Sequence, residues 1–127
     1  MPVAVVLGAS SNRSKFGNKA VRAFLQKQWT VIPVNPRESM IEGIPCVADL
    51  DSVPRQPDVL SLYLPPSVVE GMADAIGRLA PAEVWLNPGT RSPRVTEALV
   101  RHGLELVPEC TLIRLGMNPV DFPDTPD

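Results

Sequence analysis

The sequence predicts an α/β fold, a mainly parallel sheet with helices on both faces. Three observations carry that prediction. Short β-branched and aliphatic runs such as Val3–Leu7 show no polar alternation, the pattern of strands buried on both faces. Segments with apolar residues at helical spacing lie between them. Gly, Pro and Asn punctuate the boundaries. Strands alternating with helices close through right-handed crossovers, which makes the sheet doubly wound.

The elements follow in order. Val3–Leu7 is the first strand. A small-residue loop leads into a helix over 17–28, where Val21, Phe24 and Leu25 share a face with Ala20. Thr30–Val34 is the second strand, ended by Pro36. Gly43–Val47 is a short extended piece, and Asp49 caps a helical turn over 50–53. Asp58–Leu64 is the next strand. Pro65 and Pro66 end it and open a helix over 67–79, with Val68, Met72, Ile76 and Leu79 on one stripe. Glu83–Leu86 is a strand that turns at Asn87-Pro88-Gly89. Ser92 caps a helix with Pro93 at its first position, Gly103 ends it, and Leu104–Val107 is the last strand.

Composition sets the class. A chain of 127 residues suits one domain with one core. Hydrophobic content of 44% and charged content of 20% exclude disorder. A net charge of -2 speaks against a nucleic-acid partner, which selects a basic field. No apolar run has membrane-spanning length, and the N-terminus lacks a signal-type segment, so a cytoplasmic protein is expected. Cys46 and Cys110 are too few for a disulfide framework. With one histidine, they also make no metal site. The expected domain covers 1–117, and 118–127, rich in Pro and Asp, reads as a flexible C-terminal tail.

The expected strand order is 3-2-1-4-5 in a single Rossmann-like sheet. Ligands of such sheets bind beyond the carboxyl ends of the strands, where the order reverses. The loop after the first strand keeps Gly8 at the first place of a dinucleotide fingerprint. Ser10 and Arg13 stand at the second and third places, and Gly17 follows at the helix entrance. Ser10, Ser11, Asn12 and Ser14 add polar groups. A pyrophosphate fits there, on helix N–H groups with Arg13 or Lys15; a solvated polar loop fits the same residues. A protein built for NAD places an acid after the second strand. Here Asn35, Pro36 and Arg37 follow, an end shaped for a ribose that carries a phosphate, as in coenzyme A or NADP.

Five short motifs occur in order: Gly8-Ala9-Ser10-Ser11-Asn12 with Lys15-Phe16-Gly17; Val31-Ile32-Pro33-Val34-Asn35-Pro36-Arg37; Gly43-Ile44-Pro45-Cys46; Ser61-Leu62-Tyr63-Leu64-Pro65-Pro66; and Val84-Trp85-Leu86-Asn87-Pro88-Gly89. Together they resemble the stand-alone CoA-binding protein family, which is similar to the CoA-binding domain of the succinyl-CoA synthetase alpha subunit. The resemblance covers roughly residues 3 to 115. It implies that Gly8, Ala9, Ser10, Ser11 and Asn12 meet the CoA pyrophosphate. It implies that Asn35, Pro36 and Arg37 border the adenosine, with Arg37 near the 3′-phosphate. Tyr63, Leu64 and Pro65 are then a wall for the adenine or pantetheine arm, and Asn87, Pro88 and Gly89 line the route to the thiol. From the residues alone, Tyr63 fits a core aromatic as well, and Asn87 fits a turn cap.

The synthetases also carry a catalytic histidine on a second domain. The single histidine here, His102, falls at the end of the last helix, where it suits the helix dipole. No catalytic set is expected. Cys110 follows the last strand at its carboxyl end. It reads either as a small buried hydrophobe or as a thiol placed to form a mixed disulfide with CoA. The expected function is non-catalytic binding of CoA or acyl-CoA by a monomer or homodimer. The alternative, a small NADP-dependent oxidoreductase-like protein, needs a Tyr and Lys one helical turn apart, and Ser67 follows Tyr63.

Overall fold

The strand β1 (Val3–Leu7) lies at the centre because both of its sides are apolar. Val3, Val5 and Leu7 enter one core, and Ala4 and Val6 enter the other. A computed structural model describes residues 2–124. Its main sheet is parallel and runs β2 (Thr30–Val34), β1, β5 (Val59–Leu62), β6 (Glu83–Leu86), β7 (Leu106–Val107). Val5 sits between Ile32 and Leu60 in register, which extends the alternation across the sheet.

One face is covered by α2 (Pro66–Gly71), α3 (Ala73–Leu79) and α4 (Pro93–Val100) through Val69, Ile76, Val95 and Leu99. The other is covered by α1 (Phe16–Gln26) through Ala20, Val21 and Phe24, with α5 (Thr111–Arg114) beside it. On that second face the small Ala4 lies buried in the core shared with α1, and Ser61 meets Thr111 of α5. Toward its far edge Trp85 fills the space, with the Phe24 ring 5.8 Å away. Trp85 is therefore core, while Trp29 is half-buried beside Phe24. No helix among the described residues is long and apolar enough to cross a membrane.

The doubly wound class is as expected, and the differences have local causes. The expected third strand contributes only one parallel bridge, Val34 to Val47, outside β2. Asn35 donates to the Val47 carbonyl, and the Val47 N–H donates to the Pro33 carbonyl. The next rung needs the N–H of residue 33 or of residue 45. Both are Pro, so the ladder stops and β7 supplies the fifth strand. Residues 40–45 instead form a hairpin of β3 (Met40–Ile41) and β4 (Ile44–Pro45), turning through Glu42 and Gly43 at positive φ.

The helix expected over 67–79 is two helices. Gly71 ends α2, and the Met72 N–H tightens onto the Val69 carbonyl before α3 begins. Asp49 caps a 3₁₀ turn over 50–52 through Ser52, as its residue type foretells. His102 reaches from the end of α4 to Asp74 of α3, with Nε2 3.1 Å from Oδ1, and lies over Gly77. The segment read as a loose end packs on α1 as far as Asp124. Phe122 is buried against Ala23 and Leu112, and Lys19 pairs with Asp124 at 2.8 Å. The final three residues of that expected tail lie outside the described residues.

Candidate functional site

The sheet order reverses beside β1, and a cleft of about 670 Å³ opens there at the carboxyl ends of β1, β2 and β5. Gly8 builds its floor. The φ of Gly8 is +89°, and a Cβ there would stand 2.7 Å from the Tyr63 carbonyl oxygen. Gly17 brings α1 down onto the same loop, since a Cβ at 17 would overlap the Gly8 carbonyl oxygen. Gly17 thus does the packing work that the fingerprint assigns to its third glycine.

Close packing leaves the start of α1 open. Lys15 is its N-cap residue, yet no side chain among the described residues caps the helix. The Phe16 and Gly17 N–H groups have no intramolecular acceptor among the described residues. Lys15, Phe16 and Gly17 all line the cleft, so these donors, the dipole and one ammonium meet at its mouth.

The remaining polar groups of the loop are largely committed. Ser10 Oγ accepts from the Asn12 N–H, and Asn12 Oδ1 accepts from Ser14. The Ser11 N–H donates to Glu38 Oε2 at 2.9 Å. Hydrogen bonds from Ser11 hold the Glu38 carboxyl below its ordinary value. Asn35 ties the end of β2 to this loop: its Nδ2 donates to the Ala9 carbonyl at 2.9 Å, and its Oδ1 accepts from the Arg37 N–H at 2.7 Å.

Arg13, expected at a pyrophosphate, turns away from the cleft. Its Nη1 lies 2.7 Å from Glu42 Oε1, in a separate depression shared with Arg22 and the Phe122 segment. Ser11, Asn12 and Arg37 are likewise not cleft walls. Gly8, Ala9, Ser10, Asn35, Pro36, Tyr63, Leu64 and Pro65 are.

Val68 and Met72 complete an apolar side that the sequence reading did not anticipate. Their i, i+4 spacing suits a core stripe, but Val68 is exposed at the cleft.

A chamber of about 140 Å³ shares Phe16 and Tyr63 with the cleft, and its other walls are Asn87, Pro88 and Cys110. Gly89 lies in an adjoining shallow groove with Tyr63 and Pro88. Asn87 is buried and fully engaged. Its Nδ2 donates to Ser61 Oγ and the Leu62 carbonyl, and its Oδ1 accepts from the Thr111 N–H at 2.7 Å. Ser61 and Thr111 share a hydrogen bond of 2.7 Å and complete a buried network that ties α5 to β5 and β6.

The Tyr63 hydroxyl lies close by, buried beside the Ser61 and Thr111 hydroxyls but without a well-formed hydrogen bond among the described residues. Burial pushes its phenol up to about 12. Tyr63 is the chain's single tyrosine, so its titration is directly readable. Phenolate absorbance is expected to rise near pH 12, and a midpoint near 10 would mean that the ring is open to water. The unfolded phenol ionises first, so folding loses support as pH climbs from about 10 to about 12.

A parallel sheet, a reversal of order and a cleft at the carboxyl edge define a Rossmann-like α/β domain. Comparison with known proteins is more specific. The chain belongs to the CoA binding domain family, whose profile matches residues 3–116. It is 30% identical over 126 residues to the ADP-forming acetate–CoA ligase I of Archaeoglobus fulgidus. That match takes in 91% of this chain and only 18% of the ligase's length. Among solved structures, a conserved hypothetical protein of Pyrococcus furiosus is 31% identical with a TM-score of 0.75, covering 83% of this chain and 90% of the other. A Thermus thermophilus protein is 29% identical with a TM-score of 0.82, covering 91% and 87%.

Proposed function

We propose that this chain is a non-catalytic binder of coenzyme A or an acyl-CoA, holding the nucleotide at the carboxyl edge of its sheet. The observation that carries this reading is the open start of α1, where the Phe16 and Gly17 N–H groups and Lys15 line a cleft of about 670 Å³. A pyrophosphate sits there on backbone donors. The adenosine borders Asn35, Pro36 and Arg37, against Tyr63, Leu64 and Pro65. The pantetheine arm runs past Phe16 and Tyr63 toward Asn87, Pro88, Gly89 and Cys110. Membership of the CoA binding domain family supports the ligand class.

The NADP reading receives less support. A proton-transferring tyrosine works with a lowered pKa, and Tyr63 is shifted upward with no cation beside it.

Isothermal titration with CoA, NADPH and NADH tests the choice. CoA is expected to bind most tightly, and tighter NADPH binding reverses the assignment. In the same assay Ser10→Leu is expected to weaken CoA at least about tenfold, because its side chain intrudes at the pyrophosphate while the fold survives, Ser10 being half-buried and outside the core. Undiminished affinity removes this loop from the site.

A further inference from the structure

The chamber beyond the cleft narrows the ligand class, an inference that rests on the CoA reading above. Its walls are Phe16, Tyr63, Asn87, Pro88 and Cys110. It shares Phe16 and Tyr63 with the main cleft, so the two cavities lie side by side along the carboxyl edge. We propose that this chamber is an acyl pocket for a short, uncharged acyl group carried on the thiol of CoA.

Size sets the upper limit. A water-sized group takes about 30 Å³, so the chamber's 140 Å³ holds about four to five non-hydrogen atoms. An acetyl group has three, a propionyl group four and a butyryl group five. Longer chains press on the Asn87 network, which forms one wall. That wall yields poorly, because the Asn87 side chain bonds to β5 and to the start of α5.

Lining sets the charge. Among the described residues, no Asp, Glu, Lys, Arg or His borders the chamber. The one amide present, Asn87, spends both ends of its side chain on protein partners. A carboxylate entering it loses its water and finds no counter-charge, which is costly. The pocket therefore admits a saturated acyl chain and rejects a dicarboxylic one. Phe16, an exposed aromatic on the rim, and Pro88 supply the apolar contact for the first methylenes.

The test is calorimetric titration of the unmodified protein with CoA and with acetyl-, propionyl-, butyryl-, hexanoyl-, palmitoyl- and succinyl-CoA. Affinity is expected to rise from CoA to propionyl- or butyryl-CoA by up to about fourfold per buried methylene. It is then expected to fall for hexanoyl- and palmitoyl-CoA. Succinyl-CoA, which matches hexanoyl-CoA at seven non-hydrogen acyl atoms, is expected to bind at least about tenfold more weakly than both butyryl- and hexanoyl-CoA. A flat series, a rise that continues to palmitoyl-CoA, or equal binding of succinyl- and butyryl-CoA overturns the acyl pocket while leaving CoA binding intact. Failure of every ligand, CoA included, removes both readings.

Discussion

A Gly17→Ala variant is expected to melt roughly 10 °C below the parent protein and to lose most of its affinity for CoA. The added methyl would overlap the Gly8 carbonyl oxygen and press on its carbonyl carbon at 3.2 Å. Both are backbone atoms at the end of the central strand, so neither moves without moving β1 or α1. Overpacking of this kind costs about 1–3 kcal/mol, and the upper end applies where backbone must shift. For a domain of this size about 3 kcal/mol corresponds to a fall of roughly 10 °C in melting temperature.

Ligand is lost with it. The displacement separates the Phe16 and Gly17 N–H groups from the loop that forms the cleft floor. Gly8→Ala should act in the same direction, since it combines a φ of +89° with a methyl 2.7 Å from the Tyr63 carbonyl oxygen. Gly71→Ala is the contrasting case. It ends α2 in open space, and the substitution is expected to be neutral or to stabilise by about 0.5–1 kcal/mol. Thermal unfolding followed by circular dichroism separates them. A Gly17→Ala protein that melts with the parent would show that α1 does not need its close approach to β1.

That glycine also shows which parts of the site are legible in sequence. Gly17 stands out as a glycine at a helix entrance, but its partner, the Gly8 carbonyl, emerges only from the packing of α1 on β1. The first two strands and the first helix are readable because continuous apolar runs and 3.6-residue spacing directly report burial. The third strand misleads because its apolar pattern suits a ladder, while Pro33 and Pro45 remove the donors of the next rung. Phe122 is hidden by the Pro- and Asp-rich residues around it, although one aromatic suffices to dock the segment against Ala23 and Leu112. Side-chain partnerships across long separations are the least legible. Arg13 looks like a free loop cation until the 40–45 hairpin brings Glu42 to it. Asn87 looks like a turn residue until Ser61 and Thr111 converge on it.

Arg37→Glu is expected to weaken CoA about ten- to hundredfold and to change dephospho-CoA far less. Arg37 follows Pro36 of the cleft wall, and Asn35 Oδ1 holds its N–H at 2.7 Å. Its guanidinium has no hydrogen-bond or ion-pair partner among the described residues. Arg13, by contrast, is engaged by Glu42. A free planar cation beside the cleft suits a terminal phosphate, which it meets with paired donors. One such charge-assisted contact contributes about 1.5–3 kcal/mol, which is the basis of the expected loss. Reversing the charge adds repulsion, because a carboxylate then stands where the cation met the phosphate. CoA and dephospho-CoA differ only in the 3′-phosphate, so the ratio of their affinities isolates this contact from the pyrophosphate and pantetheine contacts. The contact is near the surface, so the ratio should also shrink with added salt, since screening lengths fall from about 10 Å at 0.1 M to about 3 Å at 1 M. If Arg37→Glu weakens both ligands equally, the guanidinium does not meet the 3′-phosphate, and the adenosine end must lie elsewhere along the carboxyl edge.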